Sequence, residues 1–245
     1  MNTNREPRHG LARVLSKRGI CSRTEATRLV SAGRVSIGGR IITDPEFPVF
    51  DVGQPIAIDG VAPHEDRRHY LALNKPRGLV TTTRDERGRD TVYSCLDGAG
   101  LPWLAPVGRL DKASEGLLLF SNDPVWAAGV THPASGPHKV YHVQVACIPN
   151  ADVLATLSRG VVDKGELLSI ASVTLLRSGG RNAWLEITLE EGRNRHIRRL
   201  LEAHGIAVLR LIRVAIGPLP LGELKPGAWR LLSAEEASAL APVST

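Results

Sequence analysis

Val107-Gly108-Arg109-Leu110-Asp111-Lys112-Ala113-Ser114-Glu115-Gly116-Leu117-Leu118-Leu119-Phe120-Ser121-Asn122-Asp123 is the stretch on which the reading of this chain turns. Asp111 stands two residues after an arginine and five before Gly116, and Leu117 to Phe120 form an apolar run long enough for one buried strand. The spacing puts a carboxylate beside apolar surface at a strand end, where desolvation calls for a cationic or hydrogen-bonding partner. Taken alone, such spacing more often yields a surface turn aspartate.

The string resembles the signature of the pseudouridine synthases of the RsuA family: Gly-Arg-Leu-Asp, two variable residues, Thr or Ser, one variable residue, then Gly-Leu-Leu. Arg109, Leu110, Asp111, Ser114, Gly116, Leu117 and Leu118 match in register, and Gly108 favours this family over the related group that carries histidine there. The resemblance makes Asp111 the catalytic nucleophile and Arg109 the group that fills the gap left by a flipped base.

Two later stretches match the same family. In Lys139-Val140-Tyr141-His142-Val143, which alternates as a strand with Lys139, Tyr141, Val143 and Val145 on one face, Tyr141 falls on the family's Lys-x-Tyr-x-Val tyrosine. By resemblance it packs on the target base and helps move its proton. In Gly192-Arg193-Asn194-Arg195-His196-Ile197-Arg198-Arg199, helical spacing gathers Ile197, Leu200, Leu201 and His204 into an apolar stripe, with Arg195, Arg199 and Glu202 opposite. Arg198 falls on the border, from which a guanidinium can reach a carboxylate while its stem packs on the core. The family pairs the arginine at that position with the aspartate; His196 replaces its usual glutamine. Asn74-Lys75-Pro76-Arg77-Gly78 matches the opening of the family's catalytic domain.

The chain has 245 residues, 42% of them hydrophobic, enough for one large domain or a small one plus a medium one. No run approaches a membrane span and the polar N-terminus lacks a signal-peptide centre, so the expected location is the cytoplasm. Cys21, Cys95 and Cys147 are odd in number and far apart, which indicates buried free thiols rather than disulfides or zinc. The net charge of +6 points to a polyanionic partner.

That charge is concentrated at the front. Residues 1–40 carry nine Arg and Lys against only Glu6 and Glu25, so the rest is near neutral. Leu11, Val14 and Leu15 predict a short helix ending at Gly19. Ser22-Arg23-Thr24-Glu25 has capping-box spacing before a second helix with Ala26, Leu29 and Val30, which stops at Gly33. Val35 to Ile41 reads as a hairpin turning at Gly38-Gly39, and Val52 to Ile58 as another strand. Ser22 to Ala26, Gly33-Arg34-Val35 and Gly38-Gly39 resemble the alpha-L RNA-binding motif, which a small-subunit ribosomal protein shares. Arg13, Lys17, Arg18, Arg23, Arg28 and Arg34 are its expected RNA contacts, joined in the catalytic domain by Arg109, Lys75, Lys139, Arg193 and Asn194.

The expected organisation is a module over residues 8–60, a linker over 61–68 and a catalytic domain over 69–241. The class is α+β, with a cleft crossing a mixed, mostly antiparallel sheet. Strands are read at Tyr70 to Leu73, broken by Asn74 to Gly78 and resumed over Leu79 to Thr83, and later at Leu168 to Leu176, Ala183 to Leu189, Val208 to Ile216 and Trp229 to Leu232; Arg84 to Asp90 reads as a mobile loop. Helices are read after Asp123-Pro124 and Asn150, and the Ala-rich end as a short tail.

The resemblance implies an isomerase that converts a uridine of ribosomal RNA, free or in a pre-ribosomal particle, to pseudouridine. It works as a monomer, without cofactor, metal or membrane. Asp111 could attack the ribose anomeric carbon or act at the ribose or uracil to permit detachment. A glycoside hydrolase would need a paired carboxylate that the spacing does not supply, and His138 and His142 share a strand face without a ligand cluster. A non-catalytic RNA-binding protein that kept an inactive synthase fold is countered by intact Asp111, Tyr141 and Arg198.

Overall fold

The computed structural model describes residues 8–50, 55–62, 68–83, 85 and 87–242. Strand β1 (Arg8–Gly10) leads into helices α1 (Leu11–Lys17) and α2 (Arg23–Ser31). Half of the expected capping box forms: Ser22 accepts the backbone N–H of Glu25 at 3.1 Å, satisfying one open donor of α2, while the Glu25 carboxylate turns to Arg28. Strands β2 (Val35–Ile37) and β3 (Arg40–Ile42) turn at Gly38-Gly39, both at positive φ, which only glycine takes without cost. β4 (Pro48–Phe50) pairs with β1, and β5 (Ile56–Ile58) pairs with β2. The start of the expected Val52 to Ile58 strand and most of the 61–68 linker lie outside the described residues. Leu11, Val14, Leu15, Ala26, Val30, Val35 and Val49 form the core of this unit.

The chain divides into two compact units. The first holds the described residues through His69 with 99–105 and 121–124; the second holds the remainder. Within the first, Asn122 accepts the N–H of His69 at 2.8 Å, and its carbonyl accepts from Arg68 at 2.9 Å.

The second unit is built on a mixed sheet. Its elements are β6 (Tyr70–Lys75), β7 (Ala105–Val107), β8 (Glu115–Ser121), α3 (Pro124–Thr131), β9 (Lys139–Val145), α4 (Ala151–Ser158), β10 (Val161–Asp163), β11 (Glu166–Leu168), β12 (Ser172–Ser178), β13 (Ala183–Leu189), α5 (His196–Ala203), β14 (Val208–Ile216), β15 (Leu219–Pro220), β16 (Trp229–Leu231) and α6 (Ala234–Leu240). The strand order is β12-β13-β9-β14-β8-β6-β16, with β15 on β14 and β7 on β8. β14 lies antiparallel to β9 and parallel to β8, so the centre of the sheet is where direction changes. The class is the expected α+β. Alternation buries Tyr141, Val143 and Val145 on β9 and Ala183, Leu185, Ile187 and Leu189 on β13.

Several local expectations change. β6 runs on through Asn74 and Lys75 before Pro76 stops it, and Leu79 to Thr83 is not a strand, since only Val80 bridges to Thr91. A hairpin, β10–β11, appears around Lys164-Gly165, and β12 begins only at Ser172. The Ala-rich end is helix α6, closed by a capping box between Ser233 and Glu236. It buries Ala237 and Leu240 with Trp126, whose indole N–H donates to the Ala237 carbonyl at 2.8 Å. Cys21 is buried, but Cys95 and Cys147 are only half-buried; all three are free. Within Arg84 to Asp90, where Arg84 and Glu86 are not described, Asp85 accepts from Arg87 and Arg89, bracing the segment that composition presents as loose. No helix among the described residues is long and apolar enough to cross a membrane.

Candidate active site

Asp111 sits between β7 and β8 on a loop whose shape is fixed at four points. The Leu110 carbonyl accepts from the Thr81 hydroxyl at 2.7 Å, and the Lys112 carbonyl from the N–H of Gly78 at 2.8 Å. The Ala113 carbonyl accepts from Arg198 at 3.1 Å, and the Ser114 carbonyl from the Lys75 ammonium at 2.8 Å. A tight turn, Ser114 N–H to Asp111 carbonyl at 2.9 Å, closes the loop. The carboxylate is half-buried on a backbone with little freedom to move.

Asp111, Tyr141 and Arg198 line one cleft of about 280 Å³. Tyr141 projects from β9 and is 8% exposed. Arg198 comes from the border of α5, whose Ile197, Leu200 and Leu201 are buried as the stripe predicts, while His196 is buried in addition and His204 is only half-buried. Leu189, Leu211 and Ile216 supply apolar wall among the charged side chains that line the cleft.

Two cations feel the Asp111 carboxylate. Burial lowers the Arg198 guanidinium from its ordinary value and Arg195 adds to this, while Asp111 acts the other way. Burial likewise pushes Lys75 down to about 8, opposed first by Asp111. Among the described residues no ion pair joins Arg198 to Asp111. The guanidinium instead holds the Ala113 carbonyl, two residues along the loop, so its effect on the carboxylate combines field and loop position.

The expected RNA contacts divide. Arg109, Lys139, Arg193 and Asn194 all line the cleft, Arg109 and Asn194 exposed, with Arg193 held to Glu191 at 2.7 Å. Lys75 does not fit such a role: it is 0% exposed and its ammonium donates to the Ser114 and Pro76 carbonyls, a bracket for the Asp111 loop rather than a hand for RNA. In the N-terminal unit Arg13 is exposed, and Lys17 lies 3.2 Å from the His9 ring. Arg23, Arg28 and Arg34 face Glu46 at 3.6 Å, Glu25 at 2.6 Å and Asp59 at 2.5 Å, respectively. The charge excess read from residues 1–40 is therefore partly neutralised by Glu46, between β3 and β4, and Asp59, just after β5.

Sequence reasoning missed Arg213 and Arg195, both of which line the cleft. Arg195 takes a left-handed φ of 51° as it starts α5, a conformation that is costly for a non-glycine residue. Arg213 lies in a strand-forming run whose register shifts on both sides of it, so its inward facing had no clear sequence signal. Arg199, by contrast, points away and bonds to Asp163 and Glu166. His196 is 3% exposed; burial holds its imidazole below the ordinary value, with the Ser169 backbone and Glu191 opposing. Among the described residues no group of three or more His, Cys, Asp or Glu side chains is placed to hold a metal ion.

Residues 69–203 match the RNA pseudouridylate synthase family, and residues 10–50 match the S4 domain. A Rickettsia prowazekii protein named as an uncharacterized RNA pseudouridine synthase is 38% identical over 224 residues, covering 91% of this chain and 94% of that one. The Salmonella typhi ribosomal large subunit pseudouridine synthase B is 38% identical over 226 residues, covering 89% of this chain and 77% of its own. A crystal structure of a pseudouridylate synthase superposes with a TM-score of 0.67 at 27% identity, over 95% of this chain and all of the other.

Proposed function

The chain belongs to the RNA pseudouridylate synthase family, carries an S4 domain and is an RNA pseudouridine synthase, and from that premise we propose that it isomerises one uridine of ribosomal RNA through Asp111, without cofactor. The observation that carries the assignment of residues is the convergence of Asp111, Tyr141 and Arg198 on one cleft.

In this reading the target uridine leaves its helix and enters the cleft, and Arg109, exposed at the rim, holds the gap. Asp111, with the Arg198 and Lys75 cations near enough to feel its charge, opens the bond between ribose and N1. Tyr141 packs against the base and assists loss of the proton from C5 once that carbon has joined the ribose. The reaction is redox-neutral, so the side chains lining the cleft suffice for it. All three come from one chain, which supports a working monomer.

The wider assignment follows from the same reading: a module over 8–60 that docks RNA, a linker over 61–68, a catalytic domain over 69–241, and action in the cytoplasm on ribosomal RNA or a pre-ribosomal particle. The S4 match and the Salmonella relative's name support ribosomal RNA, and make the large-subunit RNA the first to map. The test is pseudouridine-specific chemical mapping of ribosomal RNA from a strain lacking the gene, before and after incubation with the purified protein. One uridine should gain the modification. If no position changes on either subunit's RNA, the ribosomal assignment is wrong.

A further inference from the structure

Arg213 on β14 is 5% exposed, and its Nε donates to the Leu117 carbonyl at 2.7 Å. Its Nη2 is enclosed and has no acceptor. Among the described residues no carboxylate pairs with it. A guanidinium stays charged in a protein, so burying one with a single carbonyl partner carries a cost that the fold alone does not return.

Arg213 is the direct register partner of Tyr141 across the antiparallel β14–β9 pair, so the two side chains stand together on one face of the sheet. Both line the cleft. Lys139, on the same face of β9, lines it too, lowered by burial and then by the charge of Arg213. Asp111 acts instead on Lys75 and Arg198. Arg213 and Lys139 thus bring two cations to one face of the sheet in the cleft, and among the described residues no carboxylate pairs with either.

A phosphodiester stays with the RNA backbone, within reach of exposed groups such as Arg109. A side chain buried as deeply as Arg213 meets the part of a nucleotide that enters furthest, the base. When the bond from C1′ to N1 breaks, its electron pair remains on the uracil, and the negative charge spreads onto O2 and O4. The ring then turns about the axis through N3 and C6, which exchanges N1 with C5 and O2 with O4. A donor that grips one carbonyl before the turn meets the other afterwards. The pair on the ring next forms the bond from C5 to C1′ and displaces the Asp111 carboxylate that took the place of N1 on C1′, C5 loses its proton and N1 gains one, with no net oxidation.

Resting on the function proposed above, we propose that Arg213, with Lys139 beside it, receives the carbonyl oxygens of the detached uracil and stabilises the anion while it turns. Arg213 is on this account a catalytic residue that donates to the leaving base.

The experiment is single turnover of an RNA carrying the mapped uridine, and of the same RNA with 6-azauridine there, whose base bears negative charge more readily. Arg213→Met should slow the uridine RNA by about 10²- to 10³-fold, with RNA affinity unchanged, and the deficit should shrink about tenfold or more on the 6-aza RNA. Arg213→Lys, which keeps a charge, should fall between Met and wild type on both; it carries the test if the Met variant melts early. A variant within about threefold of wild type, or one with equal deficits on both RNAs, overturns the assignment. Failure of the wild-type protein itself to turn over the uridine RNA would instead remove the underlying function, and this inference with it.

Discussion

Gly116 and Arg213 face each other in the parallel β8–β14 pair so closely that a Cβ on Gly116 would stand 2.2 Å from the Arg213 carbonyl oxygen. Gly116 also has a φ of 101°, open to glycine alone. The glycine five residues after Asp111 is therefore a packing requirement of the sheet centre. Gly116→Ala should lose more than about 3 kcal/mol of stability, read as the shift in urea midpoint. A midpoint near wild type would mean that the two strands are not this close.

Lys75 bears on both stability and rate. Its folded value is about 8 against an ordinary 10.5, so between those pH values the unfolded chain binds more protons and stability rises with pH. The charge beside Asp111 is lost over the same window, so the single-turnover rate should fall above about pH 8. Lys75→Met should run slower and lack that alkaline limb, because the Ser114 carbonyl loses its donor and Asp111 a neighbouring charge. Rate profiles from pH 6 to 10 decide it, and an unchanged limb in the variant would assign the titration elsewhere.

The stretches that meet at the cleft were legible because each carries its motif in a short span. The β9 alternation and the α5 stripe needed only local spacing, and Arg198 was separated from Arg199 by helical angle, whereas Asp111 was singled out by the family resemblance, since its spacing alone favoured a surface turn. The fate of Lys75 was not legible. Its ammonium is satisfied by Ser114, 39 positions away, and only the sheet order brings the two together. Arg213 was hidden for a related reason: β14 shifts register between Val208 and Arg210 and again between Arg213 and Ala215, so alternation counted from either end loses the facing. In the N-terminal unit Asp59 and Glu46 answer Arg34 and Arg23 from outside the basic segment, so charge counted over residues 1–40 overstates the face offered to RNA.

His196 should make the protein sensitive to acid. Its folded value lies below 6.5, so the neutral ring contributes stability that is present above pH 6.5 and lost as the pH falls below it. His196→Gln removes the titrating group, and its melting temperature should decline less between pH 7 and pH 5. Parallel declines in the two proteins would show that the imidazole is not buried as described.

For the N-terminal unit, reversing charge at Lys17, Arg18 and Arg23 together should weaken RNA binding and reduce the slope of log affinity against log salt by about one for each phosphate no longer neutralised. A titration across salt concentrations reads both. An unchanged slope would take the module out of the RNA interface.

Asp111→Asn keeps the size of the side chain and removes the charge that the cleft is built around. On the RNA carrying the mapped uridine, single-turnover pseudouridine formation by this variant should be undetectable while its RNA affinity stays within about threefold of wild type. Pseudouridine formed at a rate near that of the wild-type protein would contradict the account at its centre.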